Sequence, residues 1–157
     1  MEQRTLVESH EVCLVPYRLT SAGVEFCLVT EIGENRWEFP KAGLETEESP
    51  VHEPLAQAAQ NTGLWGETEK QGPLGDFRAT RGSQAKAMKG YLMRVTATIE
   101  AWPRQATHRR LWCLAEEARV RIRRKPLRRF IDLALRQAEA QLPARNADNT
   151  NGHARAS

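Results

Sequence analysis

The sequence lacks the features that mark membrane, disulfide-stabilised and zinc-dependent proteins. No stretch approaches the roughly 20 apolar residues of a membrane span, and the opening residues, MEQRTLVESH, contain no apolar signal core. The 3 cysteines are an odd number and match no zinc-ligand spacing. The 4 histidines are scattered, without a Ser-His-Asp or Cys-His arrangement. We therefore expect reduced, buried thiols, no membrane association and a cytoplasmic location.

Length and composition favour one globular domain. A chain of 157 residues can bury a substantial core without disulfides. Its net charge of +3 is too small to indicate nucleic-acid binding by itself. After residue 142 the sequence is polar and almost free of large apolar residues. We predict a single domain over residues 1–142 and a disordered tail over residues 143–157.

Hydrophobic periodicity predicts strands, a helix, further strands and a closing helix. Outside the central helix, the predicted elements are a hairpin at 11–30, a short strand-like piece at 37–40, a basic loop-rich stretch at 72–90, strands at 91–99 and 110–114, a helical turn at 115–120 and a helix at 126–142. This order predicts a mixed sheet with helices packed on it.

The central helix is predicted over residues 50–62, where apolar residues recur at helical spacing. Ser49 is a suitable N-cap, and Gly63 stands where a glycine commonly ends a helix. Pro54 conflicts with this start, because an internal proline removes a backbone hydrogen bond at a cost of up to about 3 kcal/mol. Either the helix begins at Pro54 or it is kinked there.

The stretch from Trp37 to Leu64 closely resembles the Nudix box, a loop–helix–loop motif. The residues that match in register are Phe39, Pro40, Lys41, Gly43, Glu45, Glu48, Ser49, Pro50, Thr62, Gly63 and Leu64. Residues 102–118 also resemble the family's last strand and closing helix, so that the resemblance covers roughly residues 12–142. It implies a Nudix-type α/β/α sandwich around a mixed sheet. The Trp-x-Phe-Pro-Lys stretch resembles the corresponding stretch in the branch of the family that includes dinucleoside and diphosphoinositol polyphosphate hydrolases.

The resemblance also shows which chemical groups have changed. Nudix enzymes hydrolyse a pyrophosphate with Mg²⁺, and glutamates on the box helix hold the ion. The changed positions here are Ala42 for the opening glycine, Ala56 for the arginine, and Gln57, Gln60 and Asn61 for the three glutamates. An amide oxygen brings no charge, and each close charge–charge contact is worth about 4 kcal/mol at an effective dielectric near 20. We therefore expect no metal cofactor.

The favoured hypothesis is a non-catalytic Nudix-fold module that binds a phosphate-containing small molecule or a partner. By resemblance, the candidate ligand-binding residues are Lys41, Arg78, Arg81, Lys86 and Lys89. Solvated loop charge is the alternative explanation for these residues.

The competing hypothesis is an active hydrolase of a nucleotide, a dinucleoside polyphosphate or an inositol polyphosphate. It requires Mg²⁺ or Mn²⁺ in a relocated site formed by Glu45, Glu47 and Glu48. Glu48 would then be the candidate catalytic residue, because it is the surviving acidic residue of the box.

A second basic cluster lies at residues 119–129 and contains no interleaved aromatic side chains for base stacking. We expect a solvated surface with local partners such as Glu116, Glu117 and Asp132, and no nucleic-acid binding. The sequence indicates neither an oligomeric state nor a protein partner.

Overall fold

The computed structural model describes residues 7–68 and 72–140. Its elements, in chain order, are β1 (Val7–Thr20), β2 (Gly23–Glu31), β3 (Lys41–Leu44), α1 (His52–Asn61), β4 (Leu64–Thr68), β5 (Gly75–Arg81), β6 (Gln84–Thr98), β7 (His108–Leu114), α2 (Ala115–Arg121) and α3 (Lys125–Ala140). The predicted tail, the first six residues and the last two residues of the predicted closing helix lie outside this description.

The strands form one mixed sheet. Its main path runs β4-β6-β1-β2-β7, while β3 pairs with β1 and β5 pairs with β6. The long central strands β1 and β6 are parallel, whereas the other strand pairs are antiparallel. A parallel pair needs a long crossover connection, and here α1 lies within it.

Two apolar layers place helices on both faces of this sheet. Along β1, Val12 and Leu14 pack in the layer that contains α1, whereas Val15 and Tyr17 pack in the layer that contains α2 and α3. This alternation follows from the two-residue period of a strand. Each buried side chain of this size contributes roughly 1.5–3 kcal/mol. The predicted α/β/α sandwich around a mixed sheet is confirmed.

The start of α1 differs from the prediction. The helix begins at His52 after Val51, and no side chain caps it. Ser49 is not the N-cap, because its Oγ instead accepts a hydrogen bond from the Thr46 amide at 3.0 Å. Pro54 lies in the first turn, where backbone amides have no acceptor within the helix, so it removes no hydrogen bond. Of the two alternatives given for Pro54, a helix start at this residue is wrong, because α1 begins two residues earlier at His52.

The end of α1 agrees with the prediction. Gly63 has a φ of +70°, and its amide donates to the Gln60 carbonyl at 3.0 Å. A left-handed residue at this point lets the chain leave the helix and enter β4.

The basic stretch at residues 72–90 was wrongly predicted as a loop. It forms the hairpin of β5 and the first half of β6, which turns at Gly82 with a φ of +62°. The strand-like piece at 37–40 is only a single bridge between Val29 and Glu38, and β3 begins after it. The hairpin at 11–30 and the strands near 91–99 and 110–114 are confirmed. No helix in the described ranges is long and apolar enough to cross a membrane.

Candidate functional site

A cleft of about 520 Å³ opens beside the C-terminal end of α1. Its walls come from the end of β2, the β2–β3 loop, the start of β3 and the β6–β7 loop. From the box it receives Lys41, Ala42, Gly43, Ala58, Asn61 and Thr62. The cleft is therefore built around the segment that resembles the Nudix box.

The box amides do not all line this cleft. Asn61 is half-buried and lines it, whereas Gln57 lies one turn earlier on α1 and is exposed. Gln60 and Ala56 line a different groove, between α1 and β4. The prediction placed the three amides on one face, and the structure brings only Asn61 into the cleft wall.

Four carboxylates also line the cleft: Glu11, Glu31, Glu34 and Glu38. The carboxylate of Glu38 lies 3.2 Å from Lys41 Nζ and 3.5 Å from Arg124 Nη1. Glu11 lies 3.6 Å from Lys86 Nζ. The deeper carboxylates are thus neutralised by cations, two of which the sequence had suggested for a ligand. No sequence signal singled out these acidic residues.

Arg36, Arg104 and His108 add positive or protonatable groups to the cleft, and Trp102 adds an aromatic surface. Neither guanidinium forms an ion pair with any residue that the structure describes. The resemblance had pointed to Trp102 and His108 as part of the family's last strand, but not as lining residues. Arg36 and Arg104 lie in loops, and loops have no regular residue spacing from which the sequence could have indicated them.

The other predicted basic residues lie elsewhere. Arg78 and Lys89 line a small separate hollow that also includes His10 and Glu47. Arg78 forms an ion pair with Glu47, and this hydrogen bond lowers the pKa of the Glu47 carboxyl below its ordinary value. The Arg81 side chain lies outside the described part. Of the predicted cations whose side chains the structure describes, only Lys41 lines the cleft itself.

The donor set does not fit a divalent metal site. Glu45 and Glu48 are exposed, and Glu47 forms an ion pair with Arg78. Within residues 7–68 and 72–140 no group of three or more His, Cys, Asp or Glu side chains could hold a metal ion. Mg²⁺ prefers carboxylate and water oxygens, so a neutral Asn61 in the cleft is a poor substitute.

Arg110 of β7 clamps the two walls of the cleft together. Its guanidinium donates to the Thr62 carbonyl at 2.6 Å and to the Ile99 carbonyl at 2.8 Å. It also lies 5.0 Å from the centre of the Trp102 ring. A cation at the carbonyl end of α1 is favourable because those carbonyls carry partial negative charge. The clamp fixes the end of α1 against the β6–β7 loop.

The basic cluster at residues 119–129 has local partners. Arg119 pairs with Asp132 at 2.6 Å, and Arg121 pairs with Glu117 at 2.8 Å. Two of the predicted local partners, Asp132 and Glu117, therefore do pair with this cluster.

This chain is similar in sequence to known Nudix hydrolases, at low identity. No family model matches the chain. Nudix hydrolase 12, mitochondrial, of Arabidopsis thaliana is 28% identical in an alignment that covers 87% of this chain and 77% of that protein. Nudix hydrolase 17, mitochondrial, of the same plant is 27% identical in an alignment that covers 82% of this chain and 74% of that protein.

Solved structures show the fold. The Ap4A hydrolase of C. elegans in a binary complex superposes with a TM-score of 0.62 at 16% identity, covering 87% of this chain and 98% of that one. A NUDIX hydrolase of Nitrosomonas europaea superposes with a TM-score of 0.60 at 16% identity, covering 81% of this chain and 88% of that one. The chain therefore has the Nudix fold, and its sequence is similar to those of two Arabidopsis thaliana Nudix hydrolases at 27–28% identity.

Proposed function

We propose that this chain is a Nudix-fold binding protein that holds a phosphate-containing small molecule in the cleft without metal-dependent hydrolysis. The observation that carries the proposal is the neutral amide of Asn61 on the cleft wall. In the family pattern this position is one of the glutamates that hold the ion. Removing one such charge costs about 4 kcal/mol of attraction at an effective dielectric near 20.

The remaining carboxylates of the cleft do not replace that charge. Glu38 and Glu11 already lie beside lysine or arginine side chains, which offset their attraction for a cation. Glu31 and Glu34 are exposed at the mouth. In the described residues they belong to no group of three or more His, Cys, Asp or Glu side chains that could hold a metal ion.

The charge of the lining indicates the kind of ligand. Four carboxylates and three permanent cations, Arg36, Lys41 and Arg104, line the cleft. Arg124 and Lys86 pair with two of these carboxylates, so that cations offset the negative charge around the cleft. Arg36 and Arg104, which form no ion pair within the described residues, can donate to one or two phosphates. Trp102 offers an apolar ring beside them. Because the C. elegans neighbour is an Ap4A hydrolase, a nucleoside monophosphate or diphosphate is the first probe to use.

Calorimetry with Mg²⁺ and Mn²⁺ tests the metal half of the proposal. The parent chain should show no tight binding, and the double variant Gln57→Glu with Asn61→Glu should gain at least about tenfold in affinity. Gln60→Glu is the control for added charge alone, since it places one such carboxylate on the same helix but on the groove side. Tight binding by the parent, or an equal gain from the control, would contradict the assignment.

Titration with ADP and AMP, together with a phosphate-release assay, tests the ligand half. Binding without release is expected, and Arg36→Ala or Arg104→Ala should weaken it about tenfold or more. Arg129→Ala, at an exposed site on α3, is the control and should bind like the parent. Unchanged binding in both cleft variants would place the ligand elsewhere.

The second candidate function is hydrolysis through a relocated metal site. The observation in its favour is the presence of Glu31 and Glu34 at the cleft mouth, rather than the predicted set of Glu45, Glu47 and Glu48. Turnover of ADP by the parent in Mg²⁺ or Mn²⁺, abolished by Glu31→Gln or Glu34→Gln, would establish this function instead.

A further inference from the structure

The β6–β7 loop presents three side chains to the cleft at and beside one tight turn. Trp102, Arg104 and His108 all line the cleft. The Arg104 carbonyl accepts hydrogen bonds from the backbone amides of Thr107 at 3.0 Å and His108 at 2.9 Å, so that the turn closes on itself. The Thr107 carbonyl accepts a hydrogen bond from the Ile32 amide at 2.9 Å, which fixes the turn to the residue after β2. Backbone hydrogen bonds therefore hold this part of the cleft wall in place.

A chain of hydrogen bonds within the turn decides which ring nitrogen of His108 carries a hydrogen. Thr107 Oγ1 donates to the Arg104 carbonyl at 3.3 Å. A hydroxyl has a single hydrogen, so the 2.7 Å contact between Thr107 Oγ1 and His108 Nδ1 needs Nδ1–H as its donor. In a neutral imidazole one nitrogen is a donor and the other is an acceptor. Neutral His108 therefore has its lone pair on Nε2.

The Nε2 atom of His108 is open to a ligand of the cleft. It forms no hydrogen bond or ion pair with the residues that the structure describes, and its cross-strand neighbour on β2 is Glu31. The buried side-chain atoms without a partner in the same residues are His10 Nδ1 and Glu11 Oε1, so Nε2 of the half-buried His108 is reached by solvent. An accepting nitrogen repels phosphate oxygens and attracts a hydroxyl or amino group.

We propose that His108 selects ligands that carry a hydroxyl or amino group near their phosphate. This inference rests on the binding function proposed above, in which Arg36 and Arg104 hold the phosphate. His108 Nε2 accepts a hydrogen bond from the donor group of the ligand. Thr107 is a positioning residue, because it holds the ring and its tautomer without touching the ligand. The ligand class is therefore a phosphate ester with a nearby hydrogen-bond donor, such as a ribonucleotide.

Titration of the full chain with three diphosphates tests the proposal at about pH 8, above the range in which histidine ordinarily becomes charged. The probes are ADP, inosine diphosphate, which lacks the amino group, and dideoxy-ADP, which lacks both free ribose hydroxyls. At least one analogue should bind the parent about three- to tenfold more weakly than ADP does, because a hydrogen bond is lost. The analogue that loses affinity identifies the donor group.

Variants of two histidines assign this discrimination to one side chain. His108→Phe should bind all three probes equally, whereas His108→Gln, which keeps an accepting oxygen, should retain part of the preference for ADP. His52→Phe is the matched control, because His52 is exposed on α1 and lines the groove between α1 and β4 instead of the cleft. It should bind the probes like the parent.

NMR of nitrogen-labelled histidine side chains gives a second readout that needs no ligand. The His108 signals, identified by their absence from His108→Phe, should show hydrogen on Nδ1 and none on Nε2. Thr107→Val should lose this preference, because the ring then lacks its acceptor. A parent that binds none of the probes would refute the proposed function together with this inference. Equal binding of all three by the parent, discrimination that persists in His108→Phe, or a hydrogen on Nε2 of neutral His108 would refute this inference alone.

Discussion

Replacing Gly63 by alanine should destabilise the protein much more than the same change at Gly82. Both glycines have left-handed backbones, with φ of +70° and +62°. A methyl group on Gly63 would lie 2.6 Å from Trp102 Cβ and 2.7 Å from Arg110 Nη1, whereas one on Gly82 would meet nothing within 4 Å. The pair therefore separates backbone strain from steric exclusion.

The expected magnitudes follow from these contacts. Holding a non-glycine residue in the left-handed region costs about 1–2 kcal/mol, and the lower entropy of unfolded alanine increases stability by about 0.4–1 kcal/mol. Gly82→Ala should therefore lower the free energy of unfolding by roughly 1 kcal/mol. Gly63→Ala should add an overpacking cost of about 1–3 kcal/mol, because Trp102 Cβ is not the flexible end of a side chain.

Urea denaturation followed by circular dichroism measures both variants. The midpoint should fall further for Gly63→Ala, while the slope m stays constant because neither variant changes the surface exposed on unfolding. The difference corresponds to roughly 2–12 °C in Tm for a chain of this size. Equal losses at the two positions would show that the end of α1 relaxes freely, and the steric reasoning would be refuted.

Three further predictions concern individual side chains. Arg110→Ala should lower the free energy of unfolding by about 2–4 kcal/mol in urea, because the carbonyls of Thr62, Gly63 and Ile99 lose a charged donor. Arg109→Ala removes only an exposed guanidinium that lies 5.8 Å from the centre of the Trp37 ring, and should change it by less than about 1 kcal/mol. Burial raises the pKa of the Cys27 thiol to about 12 from an ordinary 9.0, so stability measured in urea should fall as pH rises above 9.0 toward 12. Arg78 lowers the pKa of the Glu47 carboxyl, so in Arg78→Ala this pKa, followed by NMR, should rise toward its ordinary 4.5. In the parent, the stability that the ion pair provides above pH 4.5 should be lost as the pH falls through the lowered pKa of Glu47.

A helix or strand could be predicted wherever apolar residues recurred along a segment at the spacing of that element. The closing helix shows this: Leu127, Phe130, Ile131 and Ala134 are buried along one stripe of α3. The β5–β6 hairpin could not be recognised, because its polar and basic residues hide the alternation and the glycine at its turn resembles any loop glycine. Pairing with β1 organises the first half of β6, and that contact is invisible to a local pattern.

The candidate site was predicted only in part. Lys41 and Asn61 were found because they belong to a motif of fixed spacing. Glu38, Arg36 and Arg104 were missed because loops from distant parts of the chain bring them together. The structure was also needed to show where the helix residues lie. Their spacing of three and four residues suggests one face, but Gln60 lines the groove between α1 and β4 whereas Asn61 lines the cleft.

Shape and chemistry are carried by different residues of the box. Phe39 is 1% exposed and Gly63 cannot carry a side chain, so burial and sterics fix these positions whatever charge the helix bears. Gln57 is exposed and Asn61 half-buried, so a glutamate at each should alter stability by less than about 1 kcal/mol, including a few tenths for like charges four residues apart. The double variant should therefore unfold in urea close to the parent. Any metal affinity that it gains would then report the restored charge and not a rearranged helix, and a loss well beyond 1 kcal/mol would show that the amides serve packing after all.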